Sequence, residues 1–204
     1  EKKAELQTFY TDIYKRAIEQ SDQLAATLFT EKAIADLPWA DMLSGEQLKN
    51  WNPSSVKGFS SDPQEGNLRI VGPDADAGRQ AVISIGDREQ WRNFVLDLEF
   101  AVEKGSFDLF MRLGRNPNAN TVSLAFVTEG ENASINPGKT YHVTIRVIGS
   151  KLSMRWANDD DGDLFKSPKD IDLSWAKTRK GAIGLLVPSN TRLKVTTFKV
   201  RDLR

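Results

Sequence analysis

The stretch FVLDLEF, residues 94–100, shows the clearest alternation in the chain, with Phe94, Leu96, Leu98 and Phe100 on one side and Val95, Asp97 and Glu99 on the other. A period of two residues is typical of a β-strand that buries one of its two faces. Residues 107–113 (FDLFMRL) and 141–147 (YHVTIRV) repeat this pattern. The three segments therefore predict strands with an inner apolar face and an outer, more polar face.

Further apolar or alternating runs occupy most of the chain after Pro38, separated by turns rich in Asn, Gly, Asp and Pro. They are residues 68–71, 81–85, 122–126, 152–156, 182–187 and 193–200, the last of which reads as a plain alternation. Nine or ten strands without a helix between them exclude a βαβ architecture. They predict a mainly β fold, a two-sheet antiparallel β-sandwich, over residues 38–204.

Residues 1–37 follow a different, helical period. Apolar residues recur there at three- and four-residue spacing, namely Leu6, Phe9, Tyr10, Ile13, Tyr14, Ala17, Ile18, Leu24 and Leu28. This spacing predicts an amphipathic N-terminal α-helical segment. Such a helix either packs on the sandwich or links it to another domain, or it self-associates or binds a protein partner.

Composition excludes several functions. The 204 residues contain 28 basic and 28 acidic side chains, so no net field attracts nucleic acid. No apolar run approaches the roughly 20 residues of a membrane span. The absence of cysteine excludes disulfides, thiolate zinc sites and cysteine nucleophiles.

Several phrases resemble the 3-keto-disaccharide hydrolase domain family. Residues 42–51 (MLSGEQLKNW) are similar to its opening LF-N-G-K-D-L-x-x-W phrase, and residues 87–100 to its T-D-R-E-Y-x-D-F-E-L-x-L-E-F phrase. Residues 106–112, 139–145 and 181–185 stand where that family has N-S-G-I-F-L-R, W-N-x-Y-x-I and G-x-I-G-L. The resemblance covers roughly residues 42–204. It implies a concanavalin A-like jelly roll, hydrolysis of 3-keto-glycosides and a location outside the cytoplasm.

The chain also departs from the family pattern. Ser106, Phe107 and Asp108 replace the N-S-G triplet, while Arg112 is retained at the end of that phrase. The middle G-Y-E-x-Q-I-x-D phrase has no counterpart around residues 121–128. The sequence therefore leaves open whether the domain is an enzyme.

Polar residues opposite the core positions predict a shared outer sheet surface. This set comprises Asp97, Glu99, Asp108, Phe110, Arg112, Ser123, His142, Thr144, Arg146, Ser153 and Arg155. On a concave sheet such side chains suit sugar hydroxyls. Ligand-binding candidates are Arg112, Asp108, Glu99 and Arg146. Catalytic candidates, as general acid or base, are Asp97, Glu99, Asp108 and His142. The alternative is a solvated face with weak cross-strand ion pairs.

Two tryptophans and one loop complete the candidates. Trp91 and Trp175 stand among polar residues, and each is either a sugar-stacking platform or an anchor at the end of the sandwich. Asp159, Asp161 and Asp163 lie in an acidic loop that is either a solvated turn or a structural calcium site. The chain has one histidine, His142, so a site with several histidine ligands is excluded.

Three functions stay open at this point. The first is a carbohydrate-binding module that uses the Asp108 strand, with carbohydrate as its partner and no cofactor beyond calcium. The second is a hydrolase of 3-keto-glycosides, as the resemblance implies. The third is a structural or protein-interaction domain, in which the N-terminal helix contacts a partner.

Overall fold

The computed structural model describes residues 2–53, 55–75, 80–86, 91–113, 122–131, 133–156, 170–173 and 180–203. Its helices are α1 (Lys2–Leu28), α2 (Glu31–Ala35) and a 3-10 turn (Gly45–Asn50). The strands of this part of the chain are β1 (Ala40–Asp41), β2 (Trp51–Pro53), β3 (Ser60–Gln64), β4 (Asn67–Val71), β5 (Ala81–Ile85), β6 (Phe94–Lys104), β7 (Ser106–Leu113), β8 (Val122–Val127), β9 (Thr140–Ile148), β10 (Lys151–Trp156), β11 (Asp170–Asp172), β12 (Ala182–Val187) and β13 (Arg192–Asp202).

The strands form two antiparallel sheets. The eight-stranded sheet has the order β11-β10-β9-β6-β13-β4-β3, and β1 pairs with β13 beside β4. The five-stranded sheet has the order β2-β5-β12-β7-β8. Gly105, whose φ is +84°, connects β6 of the eight-stranded sheet to β7 of the five-stranded sheet. This architecture confirms the predicted mainly β, two-sheet sandwich with a helical N-terminal extension.

The core lies between the two sheets and is rich in aromatic rings. Phe100 of β6 makes an edge contact with Phe107 of β7 at a centroid distance of 5.0 Å. Phe126 of β8 stacks on Phe107 at 4.8 Å. Each fully buried ring stabilises the fold by roughly 1.5–3 kcal/mol relative to an exposed one. The alternation of residues 94–100 thus reflects the burial of Phe94, Leu96, Leu98 and Phe100.

Strand β13 differs from its predicted plain alternation. Leu193 and Val195 point into the core, and so do Phe198 and Val200, although the two pairs are out of phase. The pairing with β6 shifts by one residue between Val195 and Thr197. A β-bulge absorbs the extra residue and keeps all four apolar side chains buried.

The helical segment packs on the outer surface of the eight-stranded sheet. Asp22 of α1 accepts hydrogen bonds from the backbone N–H of Ser150, at 2.9 Å, and from its hydroxyl. Further along, Ile34 of α2 joins a small apolar cluster with Val95 and Leu203. Gly149 permits this approach, because its φ is +57° and a Cβ there would collide with the Asp22 carboxylate.

Candidate functional site

The predicted single polar surface is divided between two opposite faces of the sandwich. Asp97, Glu99, His142, Thr144, Arg146, Ser153 and Arg155 lie on the outer surface of the eight-stranded sheet, called here the eight-stranded face. Asp108, Phe110 and Ser123 lie on the outer surface of the five-stranded sheet, the five-stranded face. The reason is that β6 and β7, although consecutive, pair in different sheets. Asp108 is therefore not brought together with Asp97 or His142.

Arg112 does not lie on either face, contrary to the expectation from alternation. Its side chain is 1% exposed. The guanidinium group donates to the carbonyl of Arg92 from Nε at 3.0 Å and from Nη2 at 2.6 Å, and Nη2 also donates to Gly149 at 2.8 Å. These bonds hold β7 to the segment before β6 and to the β9–β10 turn.

The backbone explains why Arg112 turns inward. Its φ is +56°, a left-handed conformation that few residues other than glycine adopt. The pairing of β12 with β7 slips by one residue between Ala182 and Gly184, so that β7 carries the extra residue of a bulge. A bulge re-aims a side chain locally, and the structure buries both Met111 and Arg112 in succession.

Trp91 also lies elsewhere than on a ligand-facing surface. It is 3% exposed and packs edge-on against Phe94 at a centroid distance of 6.5 Å. Its backbone N–H and carbonyl form a two-bond bridge with Gly181. Trp91 therefore anchors the end of the sandwich, and its ring offers no open face to a sugar.

The eight-stranded face carries a close acid–base pair. His142 Nε2 lies 2.6 Å from Asp97 Oδ1, and the Thr144 hydroxyl donates to the same oxygen at 3.4 Å. Glu99, opposite His142 in the β6–β9 register, accepts a hydrogen bond from the Thr196 hydroxyl. The two carboxylates are thus already hydrogen-bonded within the protein, and the histidine is oriented by one of them.

Arg146 on the same face is held by the helical segment. Its Nη2 donates to the Phe29 carbonyl at 2.8 Å, and its Nη1 pairs with Glu31. The backbone carbonyls at the end of α1 thereby gain a cationic donor, which suits the negative end of the helix dipole. Arg146 thus fixes the connection between α1 and α2.

A groove of about 490 Å³ separates α1 from β9 and β10. It is lined by Glu19, Asp22, Gln23, Arg146, Ile148, Lys151 and Ser153. Two of these residues already have partners: Asp22 accepts a hydrogen bond from Ser150, and Arg146 contacts Phe29 and Glu31. The described lining carries side chains of both charges and no aromatic ring.

The five-stranded face presents a different environment around Asp108. Asp108 is half-buried, and burial raises the pKa of its carboxyl above the usual range. In the part of the chain that the structure describes, no group donates a hydrogen bond to this carboxyl. Its cross-strand neighbours are Leu186 and Ala125, which cannot donate from their side chains.

Phe110 stands two positions along β7 from Asp108, on the same face and half-buried. Its neighbour on β12 is Gly184, and the next residue across the sheet is Ser84 of β5. A glycine beside an aromatic ring leaves the ring edge and the space next to it uncovered by a side chain. On the other side, the exposed Ser123 of β8 faces Phe110.

Ser84 and Gly184 were not among the sequence-predicted site residues. The alternation of β5 and β12 was visible, but only the strand order places these positions beside β7. Asp22, which holds α1 to the sandwich, was equally hidden because it is one of several charges on the polar side of a helix.

Some predicted residues lie outside the described residues. These are Trp175 and the acidic-loop residues Asp159, Asp161 and Asp163, so the sugar platform and the calcium site stay predictions. Among the described residues, no group of three or more histidine, aspartate or glutamate side chains could hold a metal ion. In the same part of the chain, no helix has the length and apolar character to cross a membrane.

The fold defines a β-sandwich of the galectin-like jelly-roll class. A Bacillus subtilis protein of unknown function with a galectin-like fold superposes with a TM-score of 0.56 at 12% identity, over 81% of this chain and 95% of the other. A glycosyl hydrolase candidate from Parabacteroides distasonis gives 0.53 at 12% identity, over 86% and 98%. The Ca²⁺/Man2-bound exoplasmic/lumenal domain of VIP36 gives 0.51 at 10% identity, over 82% and 87%.

At this level of identity, these likenesses establish the fold. No protein-family model and no curated protein matches the sequence. The resemblance to 3-keto-disaccharide hydrolases therefore agrees with the observed fold, but no family match confirms it.

Proposed function

We propose that this domain binds carbohydrate on the five-stranded face, around Asp108 and Phe110. One observation carries the proposal: a half-buried carboxyl group without a hydrogen-bond donor among the described residues lies beside a half-buried aromatic ring on the same strand face. The two residues are two positions apart, which corresponds to about 7 Å along a strand. That distance is comparable with the width of one sugar ring.

The carboxyl group supplies the polar half of the site. An ionised carboxylate accepts up to about four hydrogen bonds, so it can receive two hydroxyl groups of one sugar. Charge-assisted hydrogen bonds of this kind are roughly twice as strong as neutral ones. Burial has removed part of the water around Asp108, and hydroxyl donors from a ligand would replace the hydrogen bonds that this water no longer makes to the carboxylate.

Phe110 supplies the apolar half of the site. A pyranose ring has an apolar face of C–H groups, which stacks on an aromatic ring. Gly184 leaves room beside the Phe110 ring, and the hydroxyls of Ser84 and Ser123 flank it on both sides. Each hydroxyl can both donate and accept, as a sugar hydroxyl does.

Proteins of the same fold support this choice of ligand. The VIP36 domain that superposes on this chain is a Ca²⁺/Man2-bound form, and another neighbour is described as a glycosyl hydrolase candidate. A glycan ligand would also agree with the location outside the cytoplasm that the family resemblance implies. Ligand screens should therefore include calcium, because Asp159, Asp161 and Asp163 stay candidates for it.

The proposal is tested by a glycan-array screen with and without calcium, followed by titration calorimetry on each hit. We expect Asp108→Asn and Phe110→Ala each to weaken binding at least tenfold. Asp97→Asn is the matched control, because it makes the same acid-to-amide change on the opposite face. Loss of binding in the control, or full binding in both site variants, would exclude this location. No hit with a folded domain would favour the structural or protein-interaction role.

A specific observation favours hydrolysis as a second candidate function. The Asp97–His142 contact of 2.6 Å orients an imidazole as a carboxylate-held acid or base. Thr144 of this cluster is two residues along β9 from Arg146, which lines the groove under α1. A glycoside in that groove would extend toward the pair, with Glu99 as a further carboxylate nearby.

Product analysis separates the two functions. 3-Keto-glycosides and ordinary glycosides are incubated with the wild type and with His142→Ala. Hydrolysis that His142→Ala abolishes, and that Asp108→Asn leaves unchanged, would support the hydrolase. Binding without turnover would support the carbohydrate-binding module.

A further inference from the structure

Helix α1 carries an apolar stripe that the sandwich leaves uncovered. The large side chains on it are between 49% and 65% exposed, and they are Phe9, Tyr10, Ile13, Leu24 and Leu28. The sandwich contacts another side of the helix, which carries Ser21, Asp22 and Ala25. At 3.6 residues per turn, the two sides are about 110° apart. The packing of the described residues thus does not explain the stripe.

The stripe has the spacing of a coiled-coil seam. Tyr10, Ile13 and Leu24 of the stripe lie on a series of alternating three- and four-residue steps that Ala17, Gln20 and Thr27 complete, and Phe9 and Leu28 flank this series. A 3.5-residue period is the spacing at which two helices pair along a seam. We propose that α1 is a dimerisation element that pairs antiparallel with α1 of a second copy of this chain.

The two halves of the helix complement each other in an antiparallel arrangement. Phe9, Tyr10 and Ile13 are exposed on the N-terminal half of α1, whereas Ala17, Ile18, Ser21 and Asp22 line the gap between the helix and the sandwich. When Ile13 of one copy is level with Leu24 of the other, Ala17 is level with Gln20, and Tyr10 with Thr27. Two Ile13–Leu24 contacts thus form the apolar part of the seam, and the small Ala17 leaves room for the glutamine.

The exposed area is consistent with this pairing. An aromatic side chain offers about 150–250 Å² and an aliphatic one somewhat less, so five side chains that are about half exposed present roughly 500 Å² per copy. Two copies together bury up to about 1,000 Å², which is near the lower bound for a specific interface.

Sedimentation velocity over a 100-fold concentration range tests the dimer. We expect the full chain to approach twice its 22.8 kDa mass, and Ile13→Asp with Leu24→Asp to remain monomeric at every concentration. Lys15→Asp is the matched control, because it places an aspartate on an exposed side of the same helix away from the seam. Circular dichroism shows whether each variant folds. A monomeric wild type, or a dimer that persists in the double variant, overturns the proposal.

The orientation has its own test, because the chain contains no cysteine. Ile13→Cys and Leu24→Cys are prepared separately and oxidised alone or mixed. In the antiparallel register, position 13 lies about 16 Å from its own copy, so the mixture forms the disulfide-linked dimer and each variant alone does not. Efficient linkage of Ile13→Cys to itself would indicate a parallel pair and overturn the antiparallel arrangement.

Discussion

The two outer faces of the sandwich use their charged residues in opposite ways. On the eight-stranded face, Asp97 is paired with His142, and Arg146 is held by Phe29 and Glu31 of the helical segment. On the five-stranded face, the carboxyl of Asp108 receives no hydrogen bond from the described residues, and burial raises its pKa. Asp97, His142 and Arg146 thus have partners within the protein, whereas the half-buried Asp108 carboxyl has no donor among the described residues and lies beside an aromatic ring.

This difference indicates where a ligand gains most. A ligand on the eight-stranded face must compete with existing hydrogen bonds at Asp97 and Arg146, whereas a ligand at Asp108 supplies hydrogen bonds that the described residues do not make. Because a partly desolvated carboxylate without a donor costs stability, its presence on a folded surface is more informative than another paired charge.

Arg112 belongs to neither face, and its replacement should affect stability most. Arg112→Ala removes the donors for the carbonyls of Arg92 and Gly149. We expect a loss of about 3 kcal/mol in the free energy of unfolding, measured by urea denaturation, because buried acceptors lose charged donors. Arg155→Ala, on the eight-stranded face, is the exposed control and should change stability by less than about 0.5 kcal/mol.

Arg112→Lys tests whether the shape of the guanidinium group matters as well as its charge. A single ammonium group cannot reproduce the planar fork that reaches two carbonyls, so Arg112→Lys should destabilise the fold nearly as much as Arg112→Ala. If Arg112→Ala instead kept its stability and lost glycan binding, Arg112 would have to be returned to the list of ligand-binding residues.

Asp108 should make carbohydrate affinity depend on pH. The carboxylate is the better acceptor, so affinity should be full at neutral pH and fall by about tenfold as acid protonates it. Since burial raises the pKa of Asp108, the fall should begin above the ordinary aspartate value of about 3.9. Calorimetric titrations between pH 4 and pH 8 measure this dependence.

The effect of Asp108 on stability should have the opposite sign. A raised folded-state pKa means that the fold favours the protonated form, so this contribution is present at low pH and is lost as pH rises through the raised value. Asp108→Asn should accordingly raise the melting temperature slightly at pH 7, by about 1–2 °C. A lower melting temperature would show that the native carboxylate has a stabilising partner.

Attachment of the helical segment should depend on Arg146 and Gly149. Arg146→Ala removes the bond to the Phe29 carbonyl, and Gly149→Ala forces a collision with Asp22. We expect each to cost about 1 kcal/mol and to speed amide hydrogen exchange in residues 18–35. Gly130→Ala is the control for Gly149→Ala, because both glycines have positive φ but Gly130 has open space around it. Unchanged exchange in residues 18–35 would contradict the attachment.

The Asp97–His142 pair should have the smallest effect. Both groups are partly exposed, with side-chain exposures of 21% for Asp97 and 35% for His142. A double-mutant cycle with Asp97→Asn and His142→Ala should give a coupling energy below about 1 kcal/mol. Neither variant should change carbohydrate affinity if the ligand binds on the five-stranded face. A large loss of affinity would move the site to the eight-stranded face.

Alternation predicted the inner and outer sides of β6, β7 and β9 from the sequence alone. It failed at two positions where a bulge changes the phase, near Arg112 in β7 and near Thr196 in β13. A bulge shifts the strand register by one residue, and the amino-acid composition does not reveal it. Alternation therefore predicted Arg112 on the surface, whereas its side chain is buried. For Trp91 the sequence left a sugar platform and an anchor open, and only its burial against Phe94 decided for the anchor.

A two-sheet sandwich behind a helix is predictable from the amino-acid sequence alone, because burial of one strand face gives apolar residues a period of two and burial of one helix side gives them a period of three to four residues. The sequence could not determine which strands share a sheet. Only the tertiary structure separated Asp108 and Phe110 from Asp97 and His142, because strand pairing depends on contacts between segments far apart in the chain. The same long-range packing placed Gly184 beside Phe110 and left Asp108 without a donor among the described residues.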